Sequence, residues 1–419
     1  MTGHNEFRSI TQLRTFGASE VCFTKPRTTS ISIAYWLLIG FLILLYSNLA
    51  VLKPAIEIIH PAKLVAGAAL GMLLVEMVLA RKSFEVVWPE GFLLLAFLGA
   101  AALSTLTALW ARGAAEAVLD LLKFTIIYFF IVNCLTTERR IRGVMWTMIA
   151  GGFFPAVGVL NNYLHGNLAE GRTAWVGIFG NPNDLAYSLV VLVPIAAFLV
   201  AGRRLLPRLM VLGISFLFIA AIFVTFSRGG LIGLAVVIGL YTWRKKNIVL
   251  QGLMVVLVFA GLSFAGRLWT RSETFSNLNG DLSFHQRLAT SEAGLAMFAD
   301  HPLLGVGLGC SEIAWPLYAP PDLYTRTSLV THNTFIQPLS ETGILGFIPF
   351  ILFLAWGLYD ARKVRLEAST ADLGNLGTGL EIALWGFVVC GLSGGYALSW
   401  FPYILVALAS AARRIERES

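Results

Sequence analysis

The sequence predicts an all-α fold, a polytopic integral membrane protein with about twelve transmembrane helices and one long outer loop that carries short helices. Composition is the first observation behind this prediction, since 57% of the 419 residues are hydrophobic and 13% are charged. Soluble domains carry about 25% charged residues. The second observation is that apolar runs of about 17 to 25 residues, the length that crosses a bilayer as a helix, recur along the chain. Unclosed strands are excluded there, because lipid offers their backbone groups no hydrogen-bond partners.

Twelve apolar runs are predicted to span the membrane. In chain order they are 31–52, 62–80, 91–110, 117–135, 143–163, 184–202, 207–226, 229–243, 247–266, 334–358, 379–397 and 399–413. The first run follows a polar start and has no small-residue cleavage site, so it is predicted to be a retained span. The predicted division is a tail over 1–30, nine spans over 31–266, an outer loop over 267–333, three spans over 334–413 and a tail over 414–419.

Basic residues fall unequally on the two sides of these spans. With the N-terminus in the cytoplasm, 21 lysines and arginines lie on the cytoplasmic side, nine on the outer side and one, Lys123, inside a span. Cytoplasmic loops of membrane proteins carry an excess of Lys and Arg, so both termini are predicted to be cytoplasmic. The net charge of +7 then follows from topology, and no nucleic-acid partner is expected.

Motifs for cofactors and metals are missing from the sequence. The four cysteines are scattered, without the spacing of a disulfide framework or of metal ligands. No nucleotide-binding glycine motif and no repeat of fixed period occurs. We therefore expect no cofactor and no metal, and a zinc site built from His285, His301 and His332 is disfavoured.

The stretch "FVTFSRGGLIGLAVV" places Arg228 between two apolar runs. The apolar segment 209–243 is too long for one crossing and has basic clusters at both ends, so it is predicted to be a hairpin with residues 227–230 as its outer turn. A charge at membrane depth costs about 3 kcal/mol or more unless something binds it. Arg228 therefore either reaches the lipid headgroups or binds an anionic group on the outer face.

A second outer loop contains "GIFGNPNDLAYSL". Asn181, Pro182 and Asn183 form a predicted turn there, and Asn183 or Asp184 is expected to cap the next helix. The asparagines are either plain capping residues or candidates for substrate binding.

The long outer loop supplies two further candidates. It contains a predicted amphipathic helix, "RLATSEAGLAMFADHPLLGVGLG", which begins at Arg287 and ends at residues 300–302. His332, in "VTHNTFIQPLSETGILGFIPF", stands where the loop re-enters the membrane. A lone histidine at such a boundary is usually structural, but in an outer cavity an imidazole can accept a proton from an attacking hydroxyl.

Other polar residues on the outer face have simpler explanations. Asp120 and Lys123 stand at i and i+3, so a mutual ion pair is expected. His301 is expected to cap a helix end and His285 to be a loop residue. Glu341 is given no role.

Arginine and histidine at an outer boundary suit one kind of chemistry. A guanidinium binds phosphate oxygens with two parallel hydrogen bonds and stays charged at any relevant pH. Two arginines and a histidine therefore suit a lipid-linked diphosphate leaving group and a sugar acceptor.

The segments "GIFGNPNDLA", "TFSRGGLIGL", "HQRLATSEAGLAMFADHPLLGVGLG" and "THNTFIQPLSETGILGFIPFILFL" together resemble the bacterial O-antigen ligase and polymerase superfamily. The resemblance covers about residues 170–360, with the long outer loop between the ninth and tenth spans. The spans before it match only in hydropathy.

This resemblance implies a membrane glycosyltransferase of the bacterial inner membrane. Its relatives move a glycan from undecaprenyl diphosphate to an acceptor on the periplasmic side, without a metal. Carried over to this chain, Arg228 and Arg287 hold the diphosphate, and His332 activates or orients the acceptor hydroxyl. Asn181 and Asn183 are further candidates for substrate binding.

Three functions stay open at this point. The first is a ligase, whose acceptor is a lipid A core sugar, and the second is a polymerase, whose acceptor is another lipid-linked glycan. The third is a transporter without catalysis, which is disfavoured because its intramembrane charges would gather near the midplane.

The outer segment 311–331 favours the ligase. Its Trp315, Tyr318 and Tyr324 offer ring surfaces for sugars, and Arg326 is expected to meet core phosphates. The alternative is a proline-stiffened loop whose aromatic residues anchor at the membrane interface.

The predicted topology can be tested by labelling. In a chain with its four native cysteines replaced, a cysteine near Asn279 should react with a membrane-impermeant maleimide from the periplasm, and one near Ser369 should not. The reverse pattern would contradict the topology and, with it, the placement of every outer-face candidate.

Overall fold

The computed structural model describes residues 32–48, 51, 58–168, 171–245, 282–320 and 328–418. All of the helices described below belong to one compact unit, Ile33–Ser419. Over the described residues the chain is all-helical, with thirteen α-helices and one 3₁₀ turn. The all-α prediction is confirmed.

The helices are numbered in chain order. They are α1 (Ile33–Ser47), α2 (Pro61–Leu79), α3 (Glu90–Ser104), α4 (Ala111–Cys134), α5 (Glu138–Leu164), α6 (Pro182–Leu199), α7 (Leu205–Val224), α8 (Arg228–Lys245), α9 (Leu282–Asp300), α10 (Ser311–Tyr318), α11 (Ile336–Glu367), α12 (Ala371–Gly391) and α13 (Trp400–Arg417); the 3₁₀ turn is Gly177–Phe179.

Seven of these helices are long and apolar enough to cross a membrane, namely α2, α4, α5, α6, α7, α11 and α12. The helices α1 and α3 are apolar but shorter. The chain is therefore a polytopic membrane protein. The predicted ninth span, 247–266, lies outside the described residues, and the total of twelve spans stays a prediction.

Several predicted spans have other bounds in the structure, and the start of the eleventh is displaced furthest towards the N-terminus. Residues 379–397 were expected to form it, but α12 covers Ala371–Gly391. It begins earlier because Thr370 caps it, its hydroxyl oxygen accepting a hydrogen bond from the backbone N–H of Leu373 at 3.1 Å. It ends earlier because the sequence Ser-Gly-Gly at residues 393–395 interrupts the apolar run.

The helix α6 lies at the centre of the bundle. Nearly all of its side chains are buried, and it packs against α5, α7, α8 and α12. In contrast, few of the residues of α2 and α7 are buried, which is the expected state of a surface that faces lipid. These neighbouring helices fix the position of α6, and with it the residues at its N-terminus.

The helix α11 is interrupted at Gly343, whose φ of 60° and ψ of −163° are non-helical. The segment 302–309, which follows α9, supplies partners for the backbone groups that the interruption frees. Val306 N donates to Ser340 O at 3.0 Å, Gly307 N donates to Glu341 O at 3.0 Å, and Ile344 N donates to Pro302 O at 2.9 Å. Irregular backbone at membrane depth requires such pairing, so this segment is part of the helix bundle.

Glu341 has a structural role beside this interruption. Its side chain is 1% exposed, and its carboxylate accepts hydrogen bonds from Gly309 N at 2.9 Å and from Ser311 Oγ at 2.6 Å. Because Ser311 opens α10, these bonds join α11 to the start of α10.

Replacement of Gly343 should destabilise the protein strongly. A Cβ atom at this position would lie 2.3 Å from the carbonyl carbon of Leu303, and the positive φ strains any side chain. Gly343→Ala should therefore lower the free energy of unfolding by about 3 kcal/mol or more, as measured by thermal unfolding of the purified protein. Gly213→Ala is the matched control, since a Cβ there meets nothing within 4 Å. Equal stability of the two variants would contradict this account of the interruption.

Candidate functional site

The helices α7 and α8 form the predicted hairpin, but its turn is displaced from the predicted position. The turn consists of residues 225–227, with Phe226 at a φ of 51°, whereas residues 227–230 were expected to form it. Ser227 Oγ accepts a hydrogen bond from Gly230 N at 3.2 Å and so caps α8. Arg228 is consequently the first residue of α8, at a helix N-terminus that favours an anionic ligand.

Gly229 is needed for close packing and not for the turn. A Cβ atom at Gly229 would lie 2.2 Å from Ser393 Oγ and 2.2 Å from the hydroxyl oxygen of Tyr187. The missing side chain therefore lets the start of α8 approach both α6 and the loop between α12 and α13. The glycines do not relieve the backbone of the turn, because the positive φ belongs to Phe226.

The helix α9 places Arg287 near Tyr187, which packs against the start of α8. Gly294 lies two turns further along the same face of α9, and a Cβ atom there would lie 2.6 Å from Ile336 Cγ2 and 3.7 Å from Thr331 Cγ2. The face of α9 that carries Arg287 thus packs against the segment that contains His332. The charge of Arg287 acts on both the His332 ring and the Tyr187 phenol.

His332 is half-buried in the segment that precedes α11. Burial, and secondarily the positive charge of Arg287, lower the pKa of its imidazole below the ordinary value of 6.5. The ring is therefore neutral at neutral pH and is able to accept a proton.

Tyr187, on α6, lies against the start of α8 and near Arg287. Its hydroxyl is 2.8 Å from Ser393 Oγ, it interacts with the side chain of Ser227, and it is within the field of Arg287. One buried phenol thus lies against the start of α8 and near the arginine of α9, and the same arginine acts on the ring of His332.

The two asparagines have different contacts. Asn181 caps α6, since its Oδ1 accepts a hydrogen bond from Asn183 N at 2.8 Å. The expectation that Asn183 or Asp184 provides the cap is therefore wrong, because Pro182 occupies the first helical position and leaves Asn181 as the capping residue. Asn183 Oδ1 accepts from Ser227 Oγ at 2.7 Å and from Arg172 Nη2 at 2.7 Å.

The loop between α12 and α13 contributes residues that sequence reasoning missed. The Tyr396 hydroxyl donates to Asp184 Oδ1, and its ring lies 5.0 Å from that of Tyr187. Burial and the neighbouring Asp184 raise the pKa of Tyr396 well above its usual range, so the phenol stays a donor. Thr334 Oγ1 accepts from Tyr396 N at 2.9 Å, which fixes this loop next to the His332 segment.

Some of these missed residues carried a weak signal. Asp184 and Tyr187 stand inside the segment "GIFGNPNDLAYSL". Ser393 and Tyr396 flank a glycine pair, but the predicted span 379–397 concealed them. Arg172 stands in a short loop with no motif of its own.

Other candidates do not join this group. Lys123 Nζ and Asp120 Oδ1 form the predicted ion pair at 2.5 Å, on an exposed surface. His285 lies within α9, so its placement in a loop is corrected; α9 begins at Leu282, five residues before the predicted start at Arg287. His301 directly follows α9, as expected.

The structure does not show the surface of aromatic rings that was predicted for the segment 311–331. Trp315 is 1% exposed, because α10 turns it inward, so its ring offers no surface to a sugar. Tyr318 is half-buried at the end of α10. Arg326 and Tyr324 lie outside the described residues.

Within the described ranges, no three His, Cys, Asp or Glu side chains are grouped to hold a metal ion. The expectation that no metal takes part stays a prediction, since it concerns the reaction.

One part of the chain matches a known protein family. Residues 213–351 match the family model described as O-Antigen ligase, and this segment contains Arg228, Arg287 and His332. Asn181, Asn183, Arg172 and Tyr187 precede it. No curated protein matches the chain. The resemblance read from the motifs is confirmed over residues 213–351, which are similar to the O-antigen ligase family.

Proposed function

We propose that this protein is an O-antigen ligase of the bacterial inner membrane, which transfers a glycan from undecaprenyl diphosphate to a lipid A core sugar on the periplasmic face. The observation that carries the proposal is that Arg287 acts on both His332 and Tyr187, while Tyr187 packs against the start of α8. These elements are far apart in the chain and have complementary chemistry.

The donor site uses two positively charged residues. Arg228, at the first position of α8, and Arg287 on α9 bind the diphosphate through charge-assisted hydrogen bonds. The N-terminus of α8 adds the partial positive charge of its free N–H groups. Apolar helices around the site suit the polyprenyl chain of the donor, which stays in the lipid.

The transfer reaction needs one base and one stabilised leaving group. The acceptor hydroxyl oxygen attacks the anomeric carbon of the donor glycan, and the new C–O bond forms as the bond from that carbon to the diphosphate breaks, with inversion. The hydroxyl proton passes to the neutral His332 imidazole. The electron pair of the broken bond leaves with the diphosphate, whose added charge the two guanidinium groups stabilise. Because arginine supplies this charge, no metal and no cofactor is required.

A polymerase is the alternative, with a second lipid-linked glycan as acceptor. It would share the donor, the arginines and the base, and so the described residues serve either enzyme equally. A transporter is a distant alternative, because transport does not require a base that is held beside two cationic side chains. Our preference for the ligase rests on Arg326, which we propose contacts the core phosphates.

Loss of either phosphate-binding arginine should remove most turnover. Arg228→Gln and Arg287→Gln should each slow transfer about 10²- to 10³-fold, since each removes a donor to the developing charge of the leaving group. Lysine at either position should retain part of the rate, because lysine keeps the positive charge but lacks the two parallel N–H donors of the guanidinium group. The matched control is Arg112→Gln, an arginine whose side chain is 83% exposed and which pairs with Glu116. Wild-type turnover in Arg287→Gln at normal protein levels would exclude this arginine from the mechanism.

His332 should act on transfer and not on donor binding. His332→Ala should slow transfer about 10²- to 10⁴-fold while donor affinity is kept. In the wild type, kcat/KM should fall as the pH drops through the lowered pKa of His332, with a midpoint below 6.5, because the protonated ring accepts no proton. His165→Ala is the control, an exposed histidine at the end of α5. Equal loss of donor binding in His332→Ala would make the residue structural.

Reconstitution decides between the proposed functions. The purified protein is supplied with an undecaprenyl-diphosphate glycan and EDTA, and separately with lipid A core or with a second lipid-linked glycan. Transfer to lipid A core alone supports the ligase, and elongation of the lipid-linked glycan establishes the polymerase. A requirement for an added divalent ion would contradict the metal-free reaction.

A gene deletion gives an independent result. Loss of a ligase should leave lipopolysaccharide with core alone and accumulate polymer on undecaprenyl diphosphate. Core capped by a single repeat unit would show that transfer to core works without this protein, and the polymerase would then be correct.

A further inference from the structure

The turn between α7 and α8 receives its hydrogen bonds from the loop that precedes α6. The last carbonyl groups of a helix have no partner within it. Here, Thr173 Oγ1 donates to Val224 O, and Arg172 Nε donates to Thr225 O at 3.3 Å. A guanidinium at a helix C-terminus also interacts favourably with the helix dipole. The loop thus fixes the end of α7.

Asn183 connects this loop to the start of α8. Its Oδ1 accepts from both Arg172 Nη2 and Ser227 Oγ, each at 2.7 Å. An amide oxygen has two lone pairs, so this oxygen is fully used by protein donors. The backbone of Asn183 is itself held, since its N–H donates to Asn181 Oδ1 at 2.8 Å.

The connection continues into the first turn of α8. Ser227 Oγ, while donating to Asn183, accepts from Gly230 N at 3.2 Å. Ser227 directly precedes Arg228, so the direction of its hydroxyl and the placement of the first turn of α8 are determined together. An unbroken series of hydrogen bonds therefore runs from Arg172 through Asn183 and Ser227 to the helix start that carries Arg228.

We propose that Asn183 is a positioning residue that holds Arg228 in the geometry for binding the donor diphosphate, and that Arg172 holds Asn183. Neither residue then needs to contact the donor. The proposal deepens the proposed function, since it rests on Arg228 as a diphosphate ligand. It also accounts for an asparagine at this position, because leucine offers no acceptor, whereas aspartate would add a negative charge beside the anionic donor.

The structural part is tested without any substrate. Hydrogen exchange is measured by mass spectrometry on residues 224–232 of the full-length protein in lipid nanodiscs. Asn183→Leu and Ser227→Ala should each speed exchange there about tenfold, which corresponds to about 1.4 kcal/mol. The control is Thr370→Ala, which removes a comparable cap from α12 and should leave residues 224–232 unchanged. Unaltered exchange in both Asn183→Leu and Ser227→Ala would overturn the proposal.

The functional part is tested by a double-mutant cycle on binding of an undecaprenyl-diphosphate glycan. Asn183→Leu should weaken binding about tenfold in the wild-type chain but less than about twofold in Arg228→Gln, because the effect acts through Arg228. An equal loss in both backgrounds would overturn the proposal and make Asn183, or Arg172 through it, a direct ligand. If the wild type does not bind this donor while exchange changes as expected, the proposed function fails and the positioning network stands.

Discussion

The need to pair every backbone polar group away from water is the constraint on which this structure depends. Two breaks in the helical backbone show this constraint, one at Gly343 within α11 and one at the turn between α7 and α8. At both places a neighbouring loop supplies the missing partners. The segment 302–309 pairs with the first interruption, and the loop before α6 pairs with the second. These loops are consequently fixed to the helix bundle, and the functional candidates lie beside them.

Small residues at the site allow the neighbouring elements to pack closely. Gly229 admits Tyr187 and Ser393 against the start of α8, and Gly294 admits the Thr331 segment against α9. A side chain at either glycine would separate the elements that carry Arg228, Arg287 and His332. Close packing thus sets how near these residues lie to one another. At that separation, burial and the charge of Arg287 together lower the pKa of His332.

Sequence reasoning succeeded where the signal was local or compositional. The hairpin over 209–243, the ion pair of Asp120 with Lys123 and the helix after residue 282 follow from length, spacing and periodicity. It failed where partners are distant in the chain. Trp315 was expected to face a sugar and is buried, because its direction depends on how α10 packs. The residues Ser393 and Tyr396 were concealed in a predicted span, because an apolar run can hide a short loop at its end.

By itself, the sequence determined that this protein is a helical membrane protein, that residues 209–243 form a hairpin, and that two arginines and a histidine of suitable chemistry stand within the O-antigen ligase motifs. These are properties of composition and local spacing. Only the tertiary structure decided that Arg228 opens a helix, that Asn183 bonds to Ser227 and Arg172, and that Tyr187 packs against the start of α8. The physical reason is that hydrogen-bond partners at a site built from several helices are selected by packing, and packing depends on the whole bundle at once.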